Sequence, residues 1–182
     1  FILLNVGRFD RAKGVETLIK SFIYLSKKIK NLRLINIGQP YGSAYKNCME
    51  LIEKENLSDK VTFTGFVKYD DLPTYYAQSD IVVVPSQIYE SFSYTVAQGM
   101  ACGKPVIASN IGGIPETIDY ERAGKLFRPG DVDDLSMKIE NLYSDKKAMI
   151  NIARNARSFA INTFSIDVLR PKYIEYYKSI LN

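Results

Sequence analysis

The sequence predicts an α/β fold: a parallel sheet of six strands, doubly wound, with helices on both faces. Three observations lead there. Short aliphatic and β-branched runs recur along the chain, and most are followed by a stretch with apolar residues at helical spacing. The run Ile81-Val82-Val83-Val84 is continuously apolar rather than alternating, as in a strand covered on both faces. Strands that alternate with helices, without an internal repeat or a low-complexity linker, form parallel sheets through right-handed crossovers.

The elements follow in order. Residues 2–6 read as a buried strand, and Gly7 to Gly14 as a turn-rich loop. A helix is expected over 15–29, where Leu18, Ile19, Phe22, Leu25, Ser26 and Ile29 share one face. The second strand is 32–37, broken by Gly38-Gln39-Pro40-Tyr41-Gly42-Ser43. A helix over 45–55, a strand over 61–64 ended by Gly65, and a short helix capped by Asp70 or Asp71 and running through Tyr76 and Ala77 come next. Pro85 ends the strand at 81–84. Ser91 or Ser93 can cap a helix that runs to Cys102, with Gly103 as its stop. A strand at 106–109 leads through Gly112-Gly113-Ile114-Pro115-Glu116 into a short helix with proline in its first turn. Residues 125–127 make the sixth strand. A helix starts at Asp131 or Asp133 and runs through Tyr143, and 146–162 and 166–181 are terminal helices.

A chain of 182 residues is long enough for one well-buried domain. Its 46% apolar and 24% charged content is ordinary for a globular protein, and no apolar run reaches the length of a membrane span. There is no histidine, so the commonest general base and zinc ligand are lacking, and no metal site is expected. Cys48 and Cys102 show no metal-ligand spacing and read as buried free thiols in a reducing cytosol, which makes a cytoplasmic location the expectation. The chain opens directly into a strand at Phe1, without a signal peptide pattern, as expected of a piece of a longer protein. The net charge of +4 is uneven: 11 Lys and Arg face 6 Asp and Glu as far as Lys60. Lys27, Lys28, Lys30 and Arg33 cluster there. A solvated helix end is one reading of that cluster and contact with an anionic membrane surface is the other. No basic stripe is interleaved with aromatics, so a nucleic-acid partner is not expected.

The chemistry concentrates between residues 85 and 103. The loop from Ser86 to Ser91 leaves the carboxyl end of a parallel strand, where open α/β sheets bind ligands. The helix that follows offers free N–H groups and a positive dipole end, which suit a phosphate. A carboxylate at Glu90 would repel a phosphate and is better used to accept hydrogen bonds from hydroxyls. An anion binder beside a hydroxyl acceptor suggests a sugar phosphate.

Several motifs then stand in a telling order: Gly7-Arg8 with Lys13-Gly14, Thr64-Gly65-Phe66, Pro85-Ser86 with Glu90-Ser91-Phe92, and Gly99-Met100-Ala101-Cys102-Gly103-Lys104-Pro105-Val106 with Gly112-Gly113-Ile114-Pro115-Glu116. Together they resemble the C-terminal, donor-binding domain of glycosyltransferase family 4 (glycosyl transferases group 1), retaining transferases of the two-domain GT-B fold. The resemblance covers nearly the whole chain. It implies a Rossmann-like six-stranded parallel sheet forming the donor half of the enzyme over residues 1–182, with the N-terminal acceptor domain absent from this chain. It implies transfer of a hexose from a UDP- or GDP-linked sugar to a saccharide or lipid-linked acceptor, as in polysaccharide, capsule or lipopolysaccharide biosynthesis. Neither metal nor cofactor is implied, and a peripheral membrane location is compatible with it. Arg8 and Lys13 would hold the diphosphate and Glu90 the donor sugar, as the catalytic set. Gly7, Gly65, Phe66, Ser91, Phe92, Ser93, Thr95 and Gln98 would complete the donor contacts.

Two positions depart from the family pattern. Gln98 stands where the family has a second glutamate, which accepts from the ribose hydroxyls, and glutamine keeps one acceptor oxygen but loses the charge. From a cap near Ser91, position 98 lies two helical turns on, on the same face. Ser93 replaces a glycine. Gly112 and Gly113 suit either a close backbone approach or a plain tight turn. The altered glutamate also admits a non-catalytic module that binds a nucleotide sugar or serves assembly. A dinucleotide-binding oxidoreductase fails, because no Gly-x-Gly-x-x-Gly follows the first strand.

Overall fold

The structure, a computed structural model, describes residues 1–40 and 42–181. Tyr41, within the break expected after the second strand, lies outside the described residues. Among those described, the chain runs β1 (Ile2–Val6), α1 (Val15–Ser26), β2 (Arg33–Ile37), α2 (Ser43–Lys54), β3 (Val61–Gly65), α3 (Leu72–Gln78), β4 (Ile81–Val84), α4 (Tyr94–Ala101), β5 (Val106–Ser109), α5 (Ile114–Thr117), β6 (Lys125–Phe127), α6 (Val132–Ser144), α7 (Lys146–Phe164) and α8 (Ile166–Leu181). The strands form one sheet in the order β3-β2-β1-β4-β5-β6, and every pairing is parallel.

Successive strand residues point to opposite faces, so each strand serves two cores. Leu3, Leu34, Ile81, Val83 and Ile107 pack with Val15, Leu18, Ile19 and Phe22 of α1, Cys48 and Ile52 of α2, and Leu135 and Ile139 of α6. Leu4, Val82, Val84, Val106 and Ala108 pack with Tyr76 of α3, Val96 and Met100 of α4, Ile114 of α5, and Ala156 and Ala160 of α7. Coverage on both faces is why β4 has no polar position. Each fully buried aliphatic side chain contributes about 1.5–3 kcal/mol relative to exposure.

Several boundaries differ from those read in the sequence. α1 ends at Ser26 rather than 29, because Lys27 and Lys28 donate three residues back, to Tyr24 and Leu25, and Asn31 turns the chain with φ 60°. Ile29 still reaches the core. Asp71 precedes α3 without capping it: its own backbone is already helical, and residues 69–71 form a 3-10 turn leading in. Asp131 does cap α6, its Oδ1 accepting from the Asp134 N–H at 2.9 Å, and Asp145 caps α7 in the same way.

β1 and β4 are neighbours, and the strand order reverses between them. The crossovers from these strands leave to opposite faces, which opens a crevice beyond their carboxyl ends. An edge-to-face cluster of Phe9, Tyr45 and Phe63, with ring centres 4.9–5.6 Å apart, fixes the start of the first crossover against α2 and β3.

Candidate substrate cleft

A cleft of about 370 Å³ lies at that reversal point. The end of β1 and the loop after it line the cleft with Asn5, Val6, Gly7 and Lys13, and the end of β4 and the segment after it with Val84, Pro85, Ser86 and residues 89–95. The loop from Gly7 to Gly14 is held from within and from across the cleft. Asp10 accepts from the Lys13 N–H at 2.8 Å and pairs with the Arg8 guanidinium at 3.3 Å. The Gln87 N–H donates to the Ala12 carbonyl at 2.8 Å. Gly14 has φ +70°, and a Cβ there would lie 1.6 Å from the Pro85 carbonyl oxygen, so only glycine lets this loop close on the end of β4.

The opposite wall is pressed against the turn after β5. The Gly113 N–H donates to the Glu90 carbonyl at 2.7 Å. A Cβ on Gly112 would come within 2.6 Å of that carbonyl oxygen, and one on Gly113 within 2.3 Å of the Ser91 oxygen. Of the two readings open in the sequence, close backbone approach is thus realised, and the backbone approached is the protein's own.

Lys13 and Glu90 meet across the cleft. Lys13 Nζ donates to Glu90 Oε1 at 2.7 Å, with side chains 28% and 13% exposed. The buried Ser86 hydroxyl donates to the same oxygen. Burial pushes the Glu90 carboxyl upward. The hydrogen bonds from Lys13 and Ser86, the Lys13 charge and a contribution from Ser93 outweigh it and hold the group below its ordinary value. Glu90 is therefore a fixed carboxylate.

α4 begins at Tyr94. Ser93, extended at φ −101°, is the N-cap but makes no side-chain cap bond. Thr95 Oγ1 donates to the Val6 carbonyl at 3.0 Å, which pins the first turn of α4 over the end of β1. The helix N-terminus, with its free N–H groups and partial positive charge, is thereby aimed at the cleft.

Of the residues singled out in the sequence, the structure gathers Gly7, Lys13, Glu90, Ser91, Phe92, Ser93 and Thr95 into the lining. Arg8, 59% exposed, lies on the same loop outside it. Gly65 ends β3 and Phe66 follows it, two strands from β1, with Phe66 largely in water. Gln98 is also outside the lining: α4 starts at Tyr94 rather than near Ser91, which puts Gln98 in the second turn. Its Oε1 accepts from the buried Tyr76 hydroxyl at 3.1 Å, a group whose pKa burial raises. Sequence reasoning missed Asn5 and Tyr94 as lining residues, and it marked the loop that holds Ser86 and Tyr89 without giving either a role. Asn5 had a visible signal, as the one polar residue in an otherwise apolar strand. It is 3% exposed and donates to the Val83 carbonyl at 2.9 Å, while its Oδ1 has no protein partner.

In the basic cluster, Lys27 pairs with Glu55 at 3.0 Å and Lys28 with Glu140 at 3.1 Å, so internal carboxylates take part of its charge. Cys48 is buried and free, its thiol pushed up to about 12, first by burial and then by Glu16; Cys102 is free and partly buried. Among the described residues, no group of three or more Cys, Asp or Glu could hold a metal ion, and no helix is long and apolar enough to cross a membrane.

The family model for glycosyl transferases group 1 matches residues 1–159. The chain is similar to a lipopolysaccharide 1,2-N-acetylglucosaminetransferase of Salmonella typhimurium, 29% identical over 184 residues, covering 98% of this chain and 48% of that protein. Among solved structures it resembles Anabaena HepE in complex with UDP, with a TM-score of 0.91, 26% identity, and coverage of 98% of this chain and 49% of the other. The same protein in complex with UDP-glucose gives 0.89 at 27% identity, with the same coverage. It also matches the C-terminal domain of the group 1 protein LpcC from Francisella tularensis, at a TM-score of 0.83 and 26% identity, covering 91% of this chain and 87% of that domain. The chain spans about half the length of the curated relatives it matches.

Proposed function

The chain belongs to the glycosyl transferases group 1 family, a C-terminal domain of the GT-B fold, and from that premise we propose that it binds the nucleotide-sugar donor of a retaining hexosyltransferase. The observation that carries the reading is the Lys13–Glu90 pair beneath the N-terminus of α4 at the strand-order reversal. It sets a cation and free N–H groups beside a fixed carboxylate, which suits a phosphate next to a hydroxyl-bearing ring.

In this reading the diphosphate lies between the α4 N-terminus and the Gly7–Gly14 loop. Lys13 and Arg8 neutralise it there, in the place a metal ion would otherwise take. Glu90 Oε1 is occupied by Lys13 and Ser86, and its second oxygen accepts from a sugar hydroxyl. The nucleobase runs toward Gly65 and Phe66. Departure of the nucleoside diphosphate breaks the bond to the sugar's anomeric carbon. The acceptor hydroxyl attacks the same face, its proton passing to a leaving-phosphate oxygen, so no base from this domain is needed. The UDP complexes of HepE support a uridine diphosphate sugar as the donor class, and the Salmonella relative supports a saccharide or lipid-linked acceptor. That acceptor binds chiefly through the half of the transferase this chain does not span. The isolated chain binds donor and turns over none.

Thermal shift with uridine, guanosine and adenosine diphosphates tests the proposal, since a ligand of the native state raises the melting temperature. One of the three stabilises the chain, and its nucleoside stabilises it less. No shift with any of them would rule the reading out.

A further inference from the structure

We propose that Tyr94, assisted by Tyr89, is a stacking platform for a pyranose ring at the mouth of the cleft, an inference that rests on the donor-binding reading. Both tyrosines line the cleft, yet they are 75% and 86% exposed. Rings of this size left in water beside a ligand site offer an apolar face with a polar tip.

Tyr94 is held in place despite its exposure. Its ring meets Phe92 edge-on at 5.2 Å, Phe92 meets Phe164 at 5.2 Å, and Phe164 meets Phe159 at 5.6 Å. Phe159 and Phe164 pack on the core beneath α4. A row of rings thus runs from that core to the cleft mouth and ends at Tyr94. The row ties the start of α4 to the end of α7, and its outermost ring is left exposed in the cleft lining.

The sheet order says what arrives there. Phe66 lies beyond β3, Lys13 beyond β1 and Glu90 beyond β4, in that sequence across the sheet. A nucleotide laid from Phe66 past Lys13 puts its sugar at Glu90, in the cleft whose lining includes Tyr89 and Tyr94. Thr95 bonds to Val6 on the β1 side, whereas Tyr94 meets the phenylalanine row that ends on α7. Lys13 and Glu90 are the charged residues of the lining, and they are paired with each other. The face that Tyr89 and Tyr94 add to the cleft carries no charge of its own and suits a neutral polyhydroxylated ring, with C–H groups for the aromatic faces. The ring is either the donor's hexose or that of a saccharide acceptor, and the experiment separates them.

Isothermal titration and proton NMR on the chain and its Tyr94→Ala, Tyr94→Phe and Tyr89→Ala variants use UDP, UDP-glucose, and methyl α-D-glucopyranoside added to the UDP complex. In Tyr94→Ala, UDP affinity stays within about twofold of the parent. If the donor's hexose stacks, the advantage of UDP-glucose over UDP falls about fivefold; if the acceptor's does, the upfield ring-current shifts of the glucoside C–H protons vanish. Tyr94→Phe keeps the parent behaviour, and Tyr89→Ala gives a smaller loss. Sugar responses unchanged in Tyr94→Ala, or absent from the parent while UDP binds, overturn the stacking subsite alone. A parent chain that binds none of uridine, guanosine and adenosine diphosphate overturns it together with the donor reading; where one of the other two is the nucleotide bound, it and its glucose conjugate replace UDP and UDP-glucose in the titrations.

Discussion

Replacing Lys13 with methionine keeps the side-chain stem and removes the charge that Glu90 faces. An exposed ion pair contributes about 0–1 kcal/mol, and stranding one partner of a fully buried pair costs about 3–5 kcal/mol. The side chains here are 28% and 13% exposed, the contact is 2.7 Å, and Ser86 still donates to Glu90 once the lysine is gone. The expected loss lies between the limits, at about 2 kcal/mol, close to the range for one hydrogen bond to a charged group. For a domain of this size that lowers the melting temperature by roughly 4–8 °C. Urea unfolding of the parent, Lys13→Met, Glu90→Gln and the double variant isolates the pair: a coupling energy of about 1–2 kcal/mol is expected near neutral pH. The sign of its pH dependence follows from Glu90. The folded-state value lies below the unfolded one, so the stabilisation is complete above the unfolded value and is lost as pH falls through the folded value. Losses that add to within about 0.5 kcal/mol near neutral pH would refute the coupling.

Two further outcomes are expected. Arg8→Ala weakens nucleoside diphosphate binding and leaves nucleoside binding nearly unchanged, since its loop faces the phosphates and not the base; equal losses in titration calorimetry sink that assignment. Gln98→Ala takes the acceptor from the buried Tyr76 hydroxyl and costs about 1–3 kcal/mol of stability in urea unfolding, with nucleotide binding unchanged because Gln98 lies outside the cleft lining. A loss of affinity for ribonucleotides but not for 2′,3′-dideoxy analogues, with stability unchanged, would overturn this and put Gln98 at the ribose.

The sheet was legible because its signals are local. The apolar run at 81–84, Pro85 after it and the glycine at 103 mark their own places, and the parallel pairing follows from the alternation of strands with helices. The cleft was legible where a motif spans a few residues, as at Glu90 to Ser93. What escaped depends on contacts between distant segments. Ser86 looks like any loop serine until the crossover brings it to Glu90 and, from 77 positions away in sequence, Lys13 to the same oxygen. Gln98 was misplaced along its helix because Ser91 and Ser93 are equal as capping residues in sequence, and Thr95 at the Val6 carbonyl helps fix α4 with its start at Tyr94. Asp71 failed as a cap for a similar reason, its backbone being drawn into the 3-10 turn before α3.

The same pairing has a consequence for ligand affinity. Neither cation assigned to the diphosphate is bare: Lys13 is bonded to Glu90 and Arg8 to Asp10. An arriving diphosphate thus competes with a carboxylate already in place for Lys13, which has three N–H donors to share. Glu90 opposes the diphosphate by its charge and favours the attached sugar by accepting from its hydroxyls. Glu90→Gln removes the opposition along with the acceptor charge, so the two ligands respond in opposite directions. UDP binds the variant more tightly, by several-fold, about the effect of 1 kcal/mol of relieved repulsion. UDP-glucose loses its advantage over UDP, because a neutral amide oxygen replaces a charge-assisted acceptor. Calorimetric titration of both ligands against parent and variant decides the matter: if Glu90→Gln weakens UDP and UDP-glucose alike, Glu90 orients Lys13 for the phosphate and does not read the sugar.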